Sequence, residues 1–268
     1  MDAVSLGPVV LSMERFSAVL GFVTLVVVAE LLARHKAERL SLWASNAVLV
    51  SLLGARLGFV LTHLSVYLAD PLSIFYIWQG GFSALSAVAA GLIHTLWTFR
   101  KERQLLRLTT RPIVAALAVW LGASALGATP TGGATTLPQL ELETLTSTAV
   151  NLNSFEGQPT VLNLWATWCG PCKREMPLLA EVAAERPDVA FVFVDLRESP
   201  QTVANYLESR DLSLSNVLLD RRGEVARAFR TKGTPTSLFF TAEGDLVGRH
   251  LGELSRASLN DYLDRISP

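Results

Sequence analysis

Two cysteines, Cys169 and Cys172, are the only ones in 268 residues, and they stand two residues apart in the run Trp168-Cys169-Gly170-Pro171-Cys172. Thiols at that spacing can close a small disulfide ring on themselves. The residues before them, Thr160-Val161-Leu162-Asn163-Leu164-Trp165, read as a buried strand, and residues 173–186 read as a helix. Cys169 therefore belongs at a strand-to-helix turn, beside the first free N–H groups of the helix. The positive end of the helix dipole favours a thiolate there, and the thiolate is the species that attacks disulfides.

Two plainer readings share the spacing. Half of a zinc site looks the same, but structural zinc takes four Cys or His ligands. No other cysteine exists, and His35, His63, His94 and His250 are scattered along the chain. No metal is therefore expected. An inert structural disulfide is the second alternative, although so small a ring removes little unfolded-chain entropy.

The wider run Trp165-Ala-Thr-Trp168-Cys-Gly-Pro-Cys172-Lys-Arg-Glu175-Met-Pro177 resembles the active site of the thioredoxin superfamily, and within it the membrane-anchored TlpA-like and ResA-like thiol–disulfide oxidoreductases. Gly233-Thr234-Pro235-Thr236, leading into an apolar strand, resembles the superfamily's second element, in which the proline is cis and lies against the CxxC. The resemblance covers residues 137–268 and implies an α/β thioredoxin fold with a central mixed sheet flanked by helices. The element order agrees. Residues 189–194 are a strand run, 200–210 have helical spacing, 238–241 and 246–251 flank a Glu243-Gly244-Asp245 turn, and 255–266 form an amphipathic helix capped by Ser255.

The resemblance also distributes roles. Cys169, nearer the helix start, is expected to attack, and Cys172 to resolve the mixed disulfide. Pro171 suits a first helical turn. Trp168, Gly170, Pro171 and Thr234 are expected to meet the substrate, and Pro235 to offer backbone for a partner strand. Pro177 is expected to kink the helix. Many thioredoxins bury an aspartate six residues before the first cysteine, where this chain has Asn163. The ResA-like branch instead carries a glutamate three residues after the second cysteine, where this chain has Glu175. At i+3 it shares a helix face with Cys172 and could take its proton; a solvated surface glutamate is the alternative.

The rest of the chain is of another kind. Half of all residues are hydrophobic, and the apolar ones concentrate before residue 128. Four runs, 16–33, 42–68, 80–99 and 112–128, are long enough to cross a hydrocarbon core of ~30 Å. The first lacks the basic leader of a cleavable signal peptide. Arg34, Lys36 and Arg39 separate the first two runs, and Arg100, Lys101, Arg103, Arg107 and Arg111 separate the last two. The positive-inside rule puts both basic loops in the cytoplasm. The redox domain then lies outside, in the periplasm of a bacterial inner membrane, on a Thr/Gly/Pro tether over 129–136. Small residues at 123–128 also resemble a signal-peptidase site, but a permanent anchor is the expectation.

Gly54-Ala-Arg56-Leu-Gly58, Asp70-Pro71-Leu72 and Trp78-Gln-Gly80-Gly81-Phe-Ser83 resemble the amino-terminal part of prolipoprotein diacylglyceryl transferases, over residues 10–100. That family continues with phenylalanine and histidine, where this chain has Ala84 and Leu85. A degenerate scaffold without acyl transfer is therefore expected. Arg56, a charge inside a span, is a candidate for binding an anionic lipid head group, with a structural pairing as the alternative.

Taken together, these features imply a membrane-anchored oxidoreductase that reduces periplasmic protein disulfides, with no cofactor beyond the Cys169–Cys172 pair. The membrane half has no cysteine, so a reducing role needs electrons from a separate membrane donor, and the resemblance implies one of the DsbD/CcdA type. A lipid- or lipoprotein-binding protein with an accessory redox domain is the alternative. Nothing in the charge pattern points to nucleic acid.

Overall fold

A computed structural model of the chain describes residues 3–6, 9–36, 39–127 and 133–267, which fall into two compact units.

The amino-terminal unit opens with two short antiparallel strands, β1 (Ala3–Leu6) and β2 (Val9–Ser12). Helices α1 (Met13–Lys36), α2 (Arg39–Thr62), α3 (Leu64–Ala69), α4 (Ala84–Phe99) and α5 (Arg103–Gly127) follow. Three of them, over Met13–Ala33, Arg39–Thr62 and Arg103–Gly127, are long and apolar enough to cross a membrane. Their outer sides are apolar stripes at helical spacing: Val19, Val23, Val27 and Leu31 on α1, and Leu49, Leu53, Leu57 and Leu61 on α2 are all exposed. In water such stripes would be costly; against lipid tails they are not.

The structure redraws the spans predicted at 42–68, 80–99 and 112–128. The second breaks at His63, where α2 gives way to α3. The third is shorter than expected. Gly80 and Gly81 take positive φ of 82° and 77°, so the chain cannot be helical there. Helix α4 starts only after Ser83, whose side chain accepts from the Ser86 N–H. Its 16 residues rise about 24 Å. The fourth helix extends back through the basic stretch to Arg103. Helix α4 nevertheless lies antiparallel along α2. Trp43 Nε1 donates to Thr95 Oγ1 at 3.2 Å, Gly54 faces Ala90 and Gly58 faces Ser86. A Cβ on Gly58 would collide with the Ser86 side chain, so the small residue is what lets the two helices approach.

The second unit is built on one seven-stranded sheet. Its strands are β3 (Glu141–Thr144), β4 (Ala149–Asn151), β5 (Thr160–Trp165), β6 (Ala190–Leu196), β7 (Val217–Asp220), β8 (Thr236–Phe240) and β9 (Leu246–Leu251), in the spatial order β4-β3-β7-β6-β5-β8-β9. The β5–β6 and β6–β7 pairs are parallel; the others are antiparallel. Helices α6 (Gly170–Glu185), α7 (Pro200–Ser209), α8 (Glu224–Ala228) and α9 (Arg256–Ile266) cover it. Alternate residues feed opposite faces. Val161, Phe191, Phe193 and Phe239 pack with Met176, Leu179, Leu259 and Leu263, whereas Leu162, Val192, Val194 and Leu238 pack with Val225 and Phe229. With both faces covered, the central strands read as largely apolar runs.

The chain thus pairs a helical region containing three candidate spans with a thioredoxin-fold domain. Of the tether expected at 129–136, residues 129–132 lie outside the described residues. The remainder is docked on the sheet domain: the Ala134 N–H donates to Ala228 O at 2.8 Å, and Thr136 bridges Asp245. Helix α6 runs through Pro177 as one helix, so that proline does not end it.

Candidate active site

The central strand β5 ends at Trp165, and residues 166–169 turn the chain into α6. Cys169 is the N-cap of that helix, with extended backbone (φ −82°, ψ 110°), and its Sγ accepts from the Cys172 N–H at 3.2 Å. The two cysteines form a disulfide. Cys172 is fully buried and Cys169 nearly so, while Trp168 beside them is 68 % exposed. Pro171 occupies the first helical turn, where its missing N–H costs nothing. The cysteine pair thus sits where α6 presents its amino-terminal N–H groups and the positive end of its dipole.

The Thr234–Pro235 peptide is cis and leads into β8. Strand β8 runs antiparallel to β5, with Leu164 opposite Thr236, so Pro235 and the turn to Cys169 share one end of the sheet. The Pro235 carbonyl accepts from the Gly252 N–H at 2.9 Å, and Thr236 Oγ1 donates to Gly233 O at 2.6 Å. These bonds fix the loop within its own domain.

Glu175 is buried, only 1 % exposed, and is not the solvated surface glutamate that composition alone allows. Its Oε1 accepts from Asn163 Nδ2 at 2.9 Å and its Oε2 from the Leu254 N–H at 3.0 Å. Asn163 Nδ2 also donates to Ser237 Oγ at 2.9 Å, so one side chain on β5 ties α6 to β8. Burial pushes the Glu175 carboxyl up to about 8, against the smaller downward pull of the Leu254 and Asn163 hydrogen bonds. The residue that precedes Leu254, Glu253, is itself buried and paired with Arg174 at 2.7 Å.

A second acidic group bears on the same turn and has no signature in the sequence. Glu198, in the segment after β6, accepts from the Thr167 N–H and from Thr167 Oγ1, each at 2.6 Å. The Glu198 N–H in turn donates to Asp195 Oδ1 at 3.1 Å. Burial, the adjoining Glu198 carboxylate and then Asp220 hold the Asp195 carboxyl well above the usual range. Thr167 and Glu198 are 31 residues apart, so only the parallel pairing of β5 and β6 reveals them as neighbours.

Arg56 lies in the other unit. It is buried, and it donates to three backbone carbonyls of the segment that follows α3: Nε to Ile74 at 2.9 Å, Nη2 to Ser73 at 2.9 Å and Nη1 to Gly81 at 3.0 Å. The Tyr67 ring lies 5.3 Å from its guanidinium carbon. No cluster of three or more metal-ligating side chains occurs among the described residues.

Comparison with known proteins divides the chain at the same place. The AhpC/TSA family model matches residues 134–249, and the prolipoprotein diacylglyceryl transferase model matches residues 2–127. The thiol-disulfide oxidoreductase ResA of Bacillus subtilis (strain 168) is 30 % identical over 133 residues, covering 49 % of this chain and 74 % of that protein. ResA of Bacillus thuringiensis subsp. konkukian is 29 % identical over the same length, covering 49 % and 76 %. The solved structure of MTB dsbF, in mixed oxidized and reduced forms, matches with a TM-score of 0.47 at 26 % identity, over 50 % of this chain and 99 % of that one.

Proposed function

Because the chain belongs to the ResA family of thiol–disulfide oxidoreductases, we propose that it reduces protein disulfides through Cys169 and Cys172 on the periplasmic face of a bacterial inner membrane. The observation that carries this is the cysteine pair closed at the N-cap of α6, with the buried Glu175 one turn along the same helix.

In the reduced enzyme the Cys169 thiolate attacks one sulfur of the client disulfide. An S–S bond forms to Cys169, and the client's other sulfur leaves as a thiolate and takes a proton. Cys172 then gives its proton to Glu175 in its carboxylate form and attacks Cys169 Sγ. The client's second thiol departs, and two electrons have passed from enzyme to client. A carboxyl held at about 8 is well matched to this proton, since a free thiol ionises near ~8.5. Trp168, Gly170, Pro171 and Thr234 frame the approach, and Pro235 closes the sheet end from the β8 side. Two electrons from a separate membrane dithiol of the DsbD/CcdA type restore the enzyme.

We read the amino-terminal half as a lipid-embedded anchor of transferase ancestry. The positions at which that family carries phenylalanine and histidine are Ala84 and Leu85 here, which favours an anchor over acyl transfer. Arg56 serves this half by holding three loop carbonyls together. With α4 crossing beside α2, four spans and the positive-inside rule leave the redox domain outside.

The test is disulfide reduction by the full chain in detergent, with insulin as substrate and dithiothreitol as reductant. Cys169→Ser is expected to abolish turnover, and Cys172→Ser to accumulate a mixed disulfide with the client. Undiminished turnover in Cys169→Ser would remove Cys169 from the nucleophile's role.

A further inference from the structure

The exchange mechanism makes no use of Glu198, yet this carboxylate spends both of its oxygens on Thr167, two residues before Cys169. One oxygen takes the Thr167 N–H and the other its hydroxyl, both at 2.6 Å. Charge-assisted bonds of that length are about twice as strong as neutral ones. The turn they grip is held by two backbone bonds, from the Cys169 N–H to Ala166 O at 3.2 Å and from the Lys173 N–H to Cys169 O at 3.1 Å.

The carboxylate is aimed by a built support. Arg197, immediately before it, takes φ of 67°, a left-handed conformation that an L-residue adopts only when its surroundings impose it. The Arg197 N–H donates to Asp220 O at 3.2 Å, and the Glu198 N–H donates to Asp195 Oδ1 at 3.1 Å. Ser199 then caps α7 by accepting from the Thr202 N–H at 3.1 Å. The bend after β6 is held from both sides, and Glu198 is the side chain it delivers to the β5–α6 turn.

We infer that Glu198 is a positioning residue for thiol exchange, clamping the turn through Thr167 so that Cys169 stays at the N-cap of α6. The inference rests on Cys169 being the attacking thiol. The clamp matters most in the reduced enzyme. With the disulfide open, Cys169 is no longer tethered to Cys172. The turn then depends on its two backbone bonds and on Glu198 to keep the sulfur among the helix N–H groups that stabilise its thiolate.

The test uses the reduced full chain in detergent. Iodoacetamide is applied in short pulses between pH 5 and pH 9, and alkylation of Cys169 and Cys172 is read separately by peptide mass spectrometry. In the wild type Cys169 is expected to react first. Glu198→Ala is expected to slow Cys169 at pH 7 by about tenfold, the order of one lost hydrogen bond to a charged group, and to move its pH profile upward. Thr167→Val removes only the hydroxyl bond and is expected to give a smaller loss of the same sign. Glu198→Gln can accept from the Thr167 N–H and donate to its hydroxyl, so it is expected to restore a rate at or above the wild type.

A wild-type Cys169 profile in Glu198→Ala, or a Glu198→Gln variant as slow as the alanine one, would overturn the inference. Should Glu198→Ala not fold, Thr167→Val decides in its place, and an unshifted profile there overturns it equally. If Cys172 reacts before Cys169 in the wild type, the assignment of the nucleophile falls first and the clamp with it.

Discussion

Replacing Glu175 by glutamine should change how the stability of the sheet domain depends on pH. The Glu175 carboxyl is raised from 4.5 to about 8, chiefly by burial. Between those values the folded protein keeps a proton that the unfolded chain has released. Stability is therefore fullest below about pH 4.5 and falls as pH rises towards 8. At about 1.4 kcal/mol per pH unit of difference, the fall attributable to this one group between pH 5 and pH 7.5 is about 3 kcal/mol. Asp195 is displaced in the same direction, but it is present in wild type and variant alike. The assay is urea unfolding of residues 133–268, disulfide closed, at half-unit intervals from pH 5 to pH 7.5. The wild type should lose about 3 kcal/mol more than Glu175→Gln over that range. Parallel pH dependences for the two would refute the claim that burial raises the Glu175 carboxyl, and with it the match between Glu175 and the Cys172 thiol.

Topology is tested by fusing a reporter that works only in the periplasm. Fusions after Thr136 or at Asp70 should be active and those at Lys36 or Arg103 inactive; activity at Arg103 would mean that the 16-residue α4 does not cross. Arg56→Ala should strip the donor from three loop carbonyls and destabilise the amino-terminal unit by about 2 kcal/mol or more, read as a lower melting temperature in detergent. An unchanged melting temperature, together with loss of bound anionic lipid, would move Arg56 to a head-group site. Immunoblotting of fractionated cells with an antibody to residues 137–268 should give a membrane band near 29.1 kDa; a soluble band of about half that mass would mean cleavage after α5.

The elements that could be read from sequence are those whose signals are local. Cys169 and Pro171 announce the start of α6. Ser255 caps its helix within four residues, and the apolar run that becomes β6 needs no partner to be recognised. The β3–β4 hairpin was not legible, because its short strands are held in the sheet by the pairing of β3 with β7, some seventy residues on. Nor was the break between α2 and α3, since neither glycine nor proline marks His63. The same division runs through the site. Helical spacing put Glu175 on the face of Cys172, but its burial depends on Asn163 from β5 and on Leu254 from the turn before α9. The grip of Glu198 on Thr167 arises only once β5 and β6 lie side by side.

The Asn163–Glu175 contact limits how this site can vary. The two buried side chains meet at 2.9 Å, and Asn163 supplies the N–H that Glu175 accepts. An aspartate at 163 beside the existing glutamate would put two carboxyls in that space, and one of them would have to stay protonated at every pH at which the enzyme works. A glutamine at 175 beside the existing asparagine would leave no acid at all. Strand and helix can exchange the proton-carrying role only if both positions change together. Substitution at 163 or at 175 is therefore expected to be accompanied by substitution at the other across relatives that differ in where they keep their buried acid.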